Sequence, residues 1–575
     1  MNPRRWWPAL LIALALAPSA WLAWEWRELQ HLGIYHDDSI YWVAAKSLAS
    51  GSGYRIESLP DQPYQTKYPP LYPALLSLVW RLNPAFPDNL KLAMLLNWLM
   101  LPLMLLAARV FYKDYGFDRR LAWAFCALVA LNPIVVNLSV MLMTEVMFGA
   151  LVLAAMIVAE RALKPERPPW LALAAGAIAG LAFLTRSSAL PLLVSGPVCF
   201  LWRRQGRRAA LFLAGMAPAV AGWQIWAWWH MPASRDMATM YYTNYLGFHL
   251  ANVGQGAMPE IAWLNAGALA FGLSELLVFS DSITFWSQQL ARMLAAAGIV
   301  GTIRLARRRG VIQYPLFAGL FAAQAVLWHY PPHNRFVLPV LPLLLAGFWT
   351  EMEHLTGIIR KSFSKPKIAD RIAAGMAAAG MAALALLAGY RTWHGLTVFL
   401  PSVLQHHRSV YLGNRQSYEW LAKNSPPGAR VFAYSDPLMY LYTGRQGISM
   451  RIPPKLLYKA DPRGISDYVE SLPEFVRRYG LNYVLFTAAD FQFDSRETGM
   501  ATLKRILKEH PGFQLAYQTP SAAVYRVEEL VSERGADPQV RAGPPGPAPG
   551  RTGASGAGEG ARPTYSTIAW CSPDI

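Results

Sequence analysis

Apolar runs recur along most of the chain and are separated by short basic turns. Runs long enough to cross a hydrocarbon layer about 30 Å thick lie near 6–24, 91–112, 121–140, 144–160, 170–185, 188–202, 209–229, 283–303, 311–329, 336–350 and 372–390. The pattern predicts a polytopic α-helical membrane protein with about 11 transmembrane helices. The basic residues fall between alternate runs: Arg4 and Arg5; Lys113, Arg119 and Arg120; Arg161, Lys164 and Arg167; Arg203, Arg204, Arg207 and Arg208; Arg304, Arg307, Arg308 and Arg309; Arg360, Lys361, Lys365, Lys367 and Arg371. All six clusters then share one side, and an excess of Lys and Arg on short loops marks that side as cytoplasmic. This orientation places the N-terminus inside and residues 25–90, 230–282, 330–335 and everything after about 391 outside the inner (plasma) membrane. The first run also resembles a signal peptide, but the alternation needs it as an uncleaved anchor.

Within the outer segments the periodicity changes. Residues 37–53 predict an amphipathic interfacial helix, with Ile40, Val43, Ala44, Ser47 and Leu48 on one face and Gly51 and Gly53 stopping it. Leu71 to Leu82 predicts a second interfacial helix, too short to span. Residues 54–68 between them read as a polar loop. Segment 230–282 is rich in aromatic residues (Tyr241, Tyr242, Tyr245) and helical around 260–278.

After Tyr390 helical and extended patterns alternate. Tyr418–Ala422, Pro437–Thr443 and Tyr468–Tyr479 read as helical, and Arg430–Tyr434, Tyr483–Thr487 and Ala522–Val527 as extended. The domains predicted are a membrane body at 1–390, a small extracytoplasmic α/β domain at 391–530 and a disordered Gly/Pro-rich tail at 531–575.

Composition agrees with the span pattern: 54% of residues are hydrophobic, only 15% charged, and the mean hydropathy is +0.21. A net charge of +18 raises nucleic acid as a partner, but its confinement to alternate turns assigns it to topology, so no nucleic acid is expected. Three cysteines, Cys126, Cys199 and Cys571, support neither a disulfide framework nor a Cys-based zinc site.

Against this apolar background a few ionisable residues gather on the predicted outer side. Asp37 and Asp38 follow His36; a carboxylate there suits deprotonation of an acceptor hydroxyl, retention of a divalent metal or orientation of a sugar. The same residues also suit helix capping. Glu145, after Met143 and Thr144, sits at the outer end of a span, where ionisable groups are costly. Lys67, Arg186 and Arg335 place positive charge where it is scarce, suited to a lipid phosphate or to headgroups. Tyr64, in the loop that carries Lys67, joins the phosphate-binding candidates. No Walker loop, Gly-x-Gly-x-x-Gly fingerprint, His-Glu-x-x-His or Gly-x-Ser-x-Gly motif is present.

In their order these motifs resemble the GT-C glycosyltransferases. They read His36-Asp37-Asp38, Lys67-Tyr68-Pro69-Pro70-Leu71-Tyr72, Thr144-Glu145, and Arg335-Phe336-Val337-Leu338-Pro339-Val340-Leu341-Pro342. Across residues 5–390 the likeness is to the branch holding the lipid A aminoarabinose transferases, protein O-mannosyltransferases and bacterial galacturonosyltransferases. It implies a GT-C fold that moves a sugar from a polyprenyl-phosphate donor to a hydroxyl of a lipid, glycan or protein acceptor, with inversion. It further implies Asp37 as the main catalytic carboxylate, Glu145 as the second acidic residue, Lys67 as the donor-phosphate contact and Arg335 as a further phosphate or cavity residue. Thr66 stands where the aminoarabinose transferases have an acidic residue, and Glu145 where they have Asp, so no sugar is assigned. The rival readings are a lipid-linked glycan transporter, which needs polar groups through the midplane and inner side, and a structural or sensory protein acting through its C-terminal domain.

Overall fold

The computed structural model describes residues 7–528 except 28–31, 235, 254, 282–283, 311, 329, 364–367, 459–460, 489 and 492–495. The predicted tail, Arg4, Arg5, Lys365, Lys367 and Cys571 lie outside the described residues.

Helices occupy all eleven predicted runs. By length and composition five among the described residues suffice to cross a membrane: Trp7–Trp26, Leu90–Asp114, Gly206–His230, Asn334–Phe363 and Ile368–Asn424. The pair Arg119–Leu131 and Pro133–Val140, bent by 61°, makes a sixth if counted as one span. The bend follows from its sequence: Asn132 Oδ1 accepts from Ile134 N (3.0 Å) and Val135 N (3.3 Å), and Pro133 opens the second helix. The other predicted runs are helices that are shorter or less apolar.

One close pairing sets helix Trp170–Thr185 against Gly206–His230. A Cβ on Gly176 would lie 2.0 Å from the Phe212 carbonyl oxygen, and one on Gly215 2.2 Å from that of Leu173, so only glycine allows the backbones to meet.

Hydrogen bonds and ion pairs tie the basic turns to one another. Arg161 meets Asp114 at 2.7 Å, Arg203 donates to the Gly310 carbonyl at 3.2 Å, Arg309 to that of Gly116 at 3.3 Å, and Arg208 to those of Ala162, Lys164, Pro165 and Arg167. Basic clusters far apart in sequence therefore gather at one end of the helical body. Glu145 opens the helix that Arg161 closes, Glu145–Ala162, so the acidic group belongs to the opposite end.

Two expectations change at that end. The first interfacial segment is a helix, Asp37–Ala49, ended at Ser50 with Gly51 at positive φ, but it is not amphipathic at a surface. Asp38 to Ala45 and Ser47 are all buried, because the helix is held between Leu71–Leu82 on one side and the C-terminal unit on the other. Trp42 stacks near Trp80, Tyr41 meets Tyr68 and Tyr72 edge-on, and Ile40 joins a core with Phe432, Ile448 and Val484. The second expectation concerns the boundary at 391, which falls inside a continuous run of helix. Helix Ile368–His394 runs through a π-helical turn, Gly395–Phe399, into Leu400–Asn424.

The C-terminal unit is one five-stranded sheet flanked by helices. Its strands are β1 (Arg430–Ala433), β2 (Gln446–Ile448), β3 (Tyr483–Thr487), β4 (Phe513–Gln518) and β5 (Ala522–Val527), in the order β2-β1-β3-β5-β4. β2, β1 and β3 are parallel, and β5 pairs antiparallel with both β3 and β4. The single helix expected at 468–479 is two, Pro462–Glu470 and Leu472–Tyr479. β2, β4 and helix Arg496–Glu509 had no counterpart in the sequence reading. Gly447 N donates to the Ser58 carbonyl at 2.8 Å, which fixes the sheet against the loop that carries Lys67.

Candidate active site

The site is built on the turn that opens helix Asp37–Ala49. His36 has φ 58° and ψ −43°, and Asp37 N donates to the Tyr35 carbonyl at 2.5 Å, which makes residues 35–37 a γ-turn of the strained, positive-φ hand. Asp38 splints the turn. Its carboxylate accepts from the backbone N–H groups of Gly33 (3.0 Å), Ile34 (3.1 Å), Tyr35 (3.4 Å) and Ser39 (2.5 Å). Burial pushes its pKa up to about 6, against the pull of those backbone hydrogen bonds. With its oxygens committed to the loop, Asp38 positions the turn, and the two neighbouring carboxylates point apart.

Asp37 faces the membrane helices. Its Oδ1 accepts from the Tyr68 hydroxyl at 2.5 Å and its Oδ2 lies 3.6 Å from Arg335 Nη2. Arg335 Nη1 is in turn 3.8 Å from Glu145 Oε1, and the same oxygen accepts from Arg186 Nη1 at 2.7 Å. Arg186 also donates to Thr144 Oγ1 at 2.8 Å. Glu145 is the first residue of its helix, where the positive end of the helix dipole favours a carboxylate. The Arg335 guanidinium lies over the rings of Phe336 (4.6 Å) and Tyr35 (4.9 Å). Asp37, Glu145, Arg186 and Arg335 thus come from four separate helices or helix ends and form one buried chain of charge.

Lys67 completes the group from the loop side. Its ammonium lies 4.0 Å from the ring centres of both Tyr241 and Tyr245 and 4.8 Å from that of Tyr68. Burial lowers its pKa to about 7, opposed by Asp37 and reinforced by Arg451. Three cations, Lys67, Arg186 and Arg335, face two carboxylates, so the pocket has charge to spare for an anion.

Tyr64 stands apart from these residues. Its ring packs against His230 (4.3 Å) and Trp226 (5.6 Å) and lies under Arg55 (3.8 Å). Tyr35, Tyr68, Tyr241 and Tyr245 also line the site, beyond the candidates that the sequence singles out. Their signal was available in the lysine motif and the aromatic-rich segment 230–282, but aromatic residues are common near interfaces and did not single these out. The carboxylates do not fit a metal site well: Arg335 bridges Asp37 and Glu145, and among the described residues no group of three His, Cys, Asp or Glu side chains is placed to hold an ion.

No protein-family model matches the chain, and no curated protein sequence matches it. Solved structures do. ArnT from Cupriavidus metallidurans bound to undecaprenyl phosphate superposes with a TM-score of 0.50 at 14% identity, covering 91% of this chain and 99% of that one. The archaeal oligosaccharyltransferase AglB from Archaeoglobus fulgidus, in complex with an inhibitory peptide and a dolichol-phosphate, superposes with a TM-score of 0.52 at 13% identity, covering 92% and 75%. Both alignments run through the helical body and into the C-terminal unit, since each covers more than nine-tenths of this chain.

Proposed function

Since the chain has the GT-C superfamily fold, we propose that it is a membrane glycosyltransferase that moves a sugar from a polyprenyl-phosphate donor to an acceptor hydroxyl. One observation carries the reading: a carboxylate, Asp37, stands between a desolvated ammonium and a guanidinium at the mouth of a helical body. The two similar structures were solved with undecaprenyl phosphate and with a dolichol-phosphate, ligands of the same chemical class as the proposed donor.

The chemistry follows from the charges. Asp37 takes the proton of the acceptor hydroxyl as its oxygen forms a bond to the anomeric carbon. The bond from that carbon to the phosphate oxygen breaks on the opposite face, with inversion, and polyprenyl phosphate departs with the electron pair. Lys67 and Arg335 stabilise the charge that grows on the phosphate, and burial makes each contact stronger than it would be in water. Glu145, held by Arg186, fixes the orientation of Arg335. On this reading the site end and the C-terminal unit face outside and the basic end faces the cytoplasm.

Asp37→Asn keeps the shape of the side chain and removes the base. The expected loss of transfer is about a hundredfold or more, with expression and membrane insertion unchanged. Mass spectrometry of envelope glycolipids, glycans and glycoproteins from a strain lacking the gene, complemented with either form, reads the result. A sugar restored by the wild type alone supports the proposal and names donor and acceptor. Equal restoration by Asp37→Asn would falsify Asp37 as the base.

A further inference from the structure

His36, immediately before Asp37, has its ring turned away from the helical body and into the C-terminal unit. Its Nε2 is 3.3 Å from Asp436 Oδ1, and the Arg451 guanidinium stands against the same nitrogen. Arg451 also donates to the Tyr434 carbonyl at 2.8 Å and lies 3.9 Å from Asp436. The Tyr242 hydroxyl, from the aromatic segment beside Lys67, donates to Asp436. Asp436 is fully buried and Arg451 nearly so.

Helix Asp436–Thr443 also seats beside the turn and on the helix that the turn opens. A Cβ on Gly33 would lie 2.8 Å from Leu438 Cδ2, and Lys46 Nζ donates to the Tyr440 hydroxyl at 3.2 Å. The turn thus carries a positive-φ residue that is not glycine, at the residue preceding the carboxylate. A strained backbone of this kind is kept only where its surroundings over-determine it. From within the turn Asp38 does so, and from outside it Asp436 and Arg451 do.

We propose that the C-terminal unit positions the catalytic carboxylate, with Arg451 donating to His36 Nε2 and Asp436 holding Arg451 in place, so that the 35–37 turn keeps Asp37 toward Arg335 and Lys67. The clamp rests on the glycosyltransferase reading above. His36, Asp436 and Arg451 are positioning residues and touch no reacting atom.

The test uses the full-length protein in lipid nanodiscs. His36→Asn and Asp436→Asn, singly and combined, are assayed for transfer and for amide hydrogen exchange across residues 33–40. Each single change should lower kcat about tenfold or more with KM for the donor within about twofold, and the double variant should lose no more than the worse single one. Exchange across 33–40 should quicken while β3 stays protected. A role confined to stability would instead quicken exchange in β3 as well, which would overturn the clamp. So would unchanged exchange at 33–40 in Asp436→Asn, or independent losses that multiply in the double variant. If Asp436→Asn does not fold, Arg451→Gln removes the one nitrogen, Nη2, that meets both His36 and the Tyr434 carbonyl, and the same readings apply. If the wild type transfers no sugar, the glycosyltransferase reading falls, and the exchange result alone then decides the clamp.

Discussion

Arg335 and Lys67 flank the same carboxylate, yet they are held in opposite ways. Arg335 sits between two carboxylates, Asp37 and Glu145, with the rings of Tyr35 and Phe336 against it. Lys67 is surrounded by the faces of three tyrosines, with Asp37 as the carboxylate that supports its charge and burial opposing it. The arginine is paid for in advance by fixed counter-charge, whereas on the proposed function the lysine gains its full partner only when the anionic donor arrives. One cation is a permanent part of the wall; the other responds to the ligand.

The strongest way to break this contrast is to remove the fixed counter-charge. Glu145→Gln leaves Arg186 and Arg335 with one carboxylate between them, and a buried charge that loses its partner is strongly penalised. We expect transfer to fall about a hundredfold, mostly in kcat, because a displaced guanidinium no longer meets the leaving phosphate. Steady-state kinetics on purified protein checks this. A variant that keeps its kcat would show that Arg335 is held in place without Glu145.

A smaller effect sharpens the other half. With its pKa near 7, Lys67 is charged below that value and loses its proton as the pH rises through it. Affinity for an anionic donor should therefore be constant below pH 7 and fall up to about tenfold per pH unit above it, as expected for one titrating contact. Lys67→Arg, which stays charged throughout, should flatten the profile of donor KM against pH at some cost in absolute affinity. A profile that keeps its slope in the arginine variant would assign the titration to another group.

How much of this was readable in advance differs between the same two regions. The helices were legible because an apolar run of that length has few other fates, and the ionisable candidates were legible because charge is rare in such runs. Asp37, Glu145, Lys67, Arg186 and Arg335 were all named from that scarcity, and the structure brings them together. The C-terminal unit followed the opposite logic. It is rich in arginine, so Arg451 carried no signal, and its partner His36 lies 415 residues earlier in the chain. β2 has three residues, too few for a period to register, and the exposed middle of β4 hides its alternation. For Asp38 the sequence offers both a catalytic carboxylate and a helix cap. Its position before a helix suggests a cap for forward N–H groups, but its carboxylate turns back to Gly33, Ile34 and Tyr35, a choice set by tertiary packing.

Tyr64 supplies the smallest effect and the sharpest boundary to the phosphate-binding region. It shares a loop with Lys67, and proximity in sequence placed it among the phosphate candidates. Its ring instead closes the far side of the loop, against Trp226 and His230 and beneath Arg55, and its backbone bridges Arg55. These contacts use the ring face, which phenylalanine also offers, so Tyr64→Phe should leave donor KM and kcat within about twofold, as expected for a change that keeps the ring. Tyr64→Ala removes the ring and loosens the loop, so it should raise donor KM by a few fold through Lys67 while leaving kcat nearly unchanged. Measured side by side, the two variants separate a hydroxyl that binds phosphate from a ring that only carries the loop. A large rise in KM for Tyr64→Phe would move the donor phosphate outward, away from Arg335, and would place Lys67 at the edge of the phosphate site.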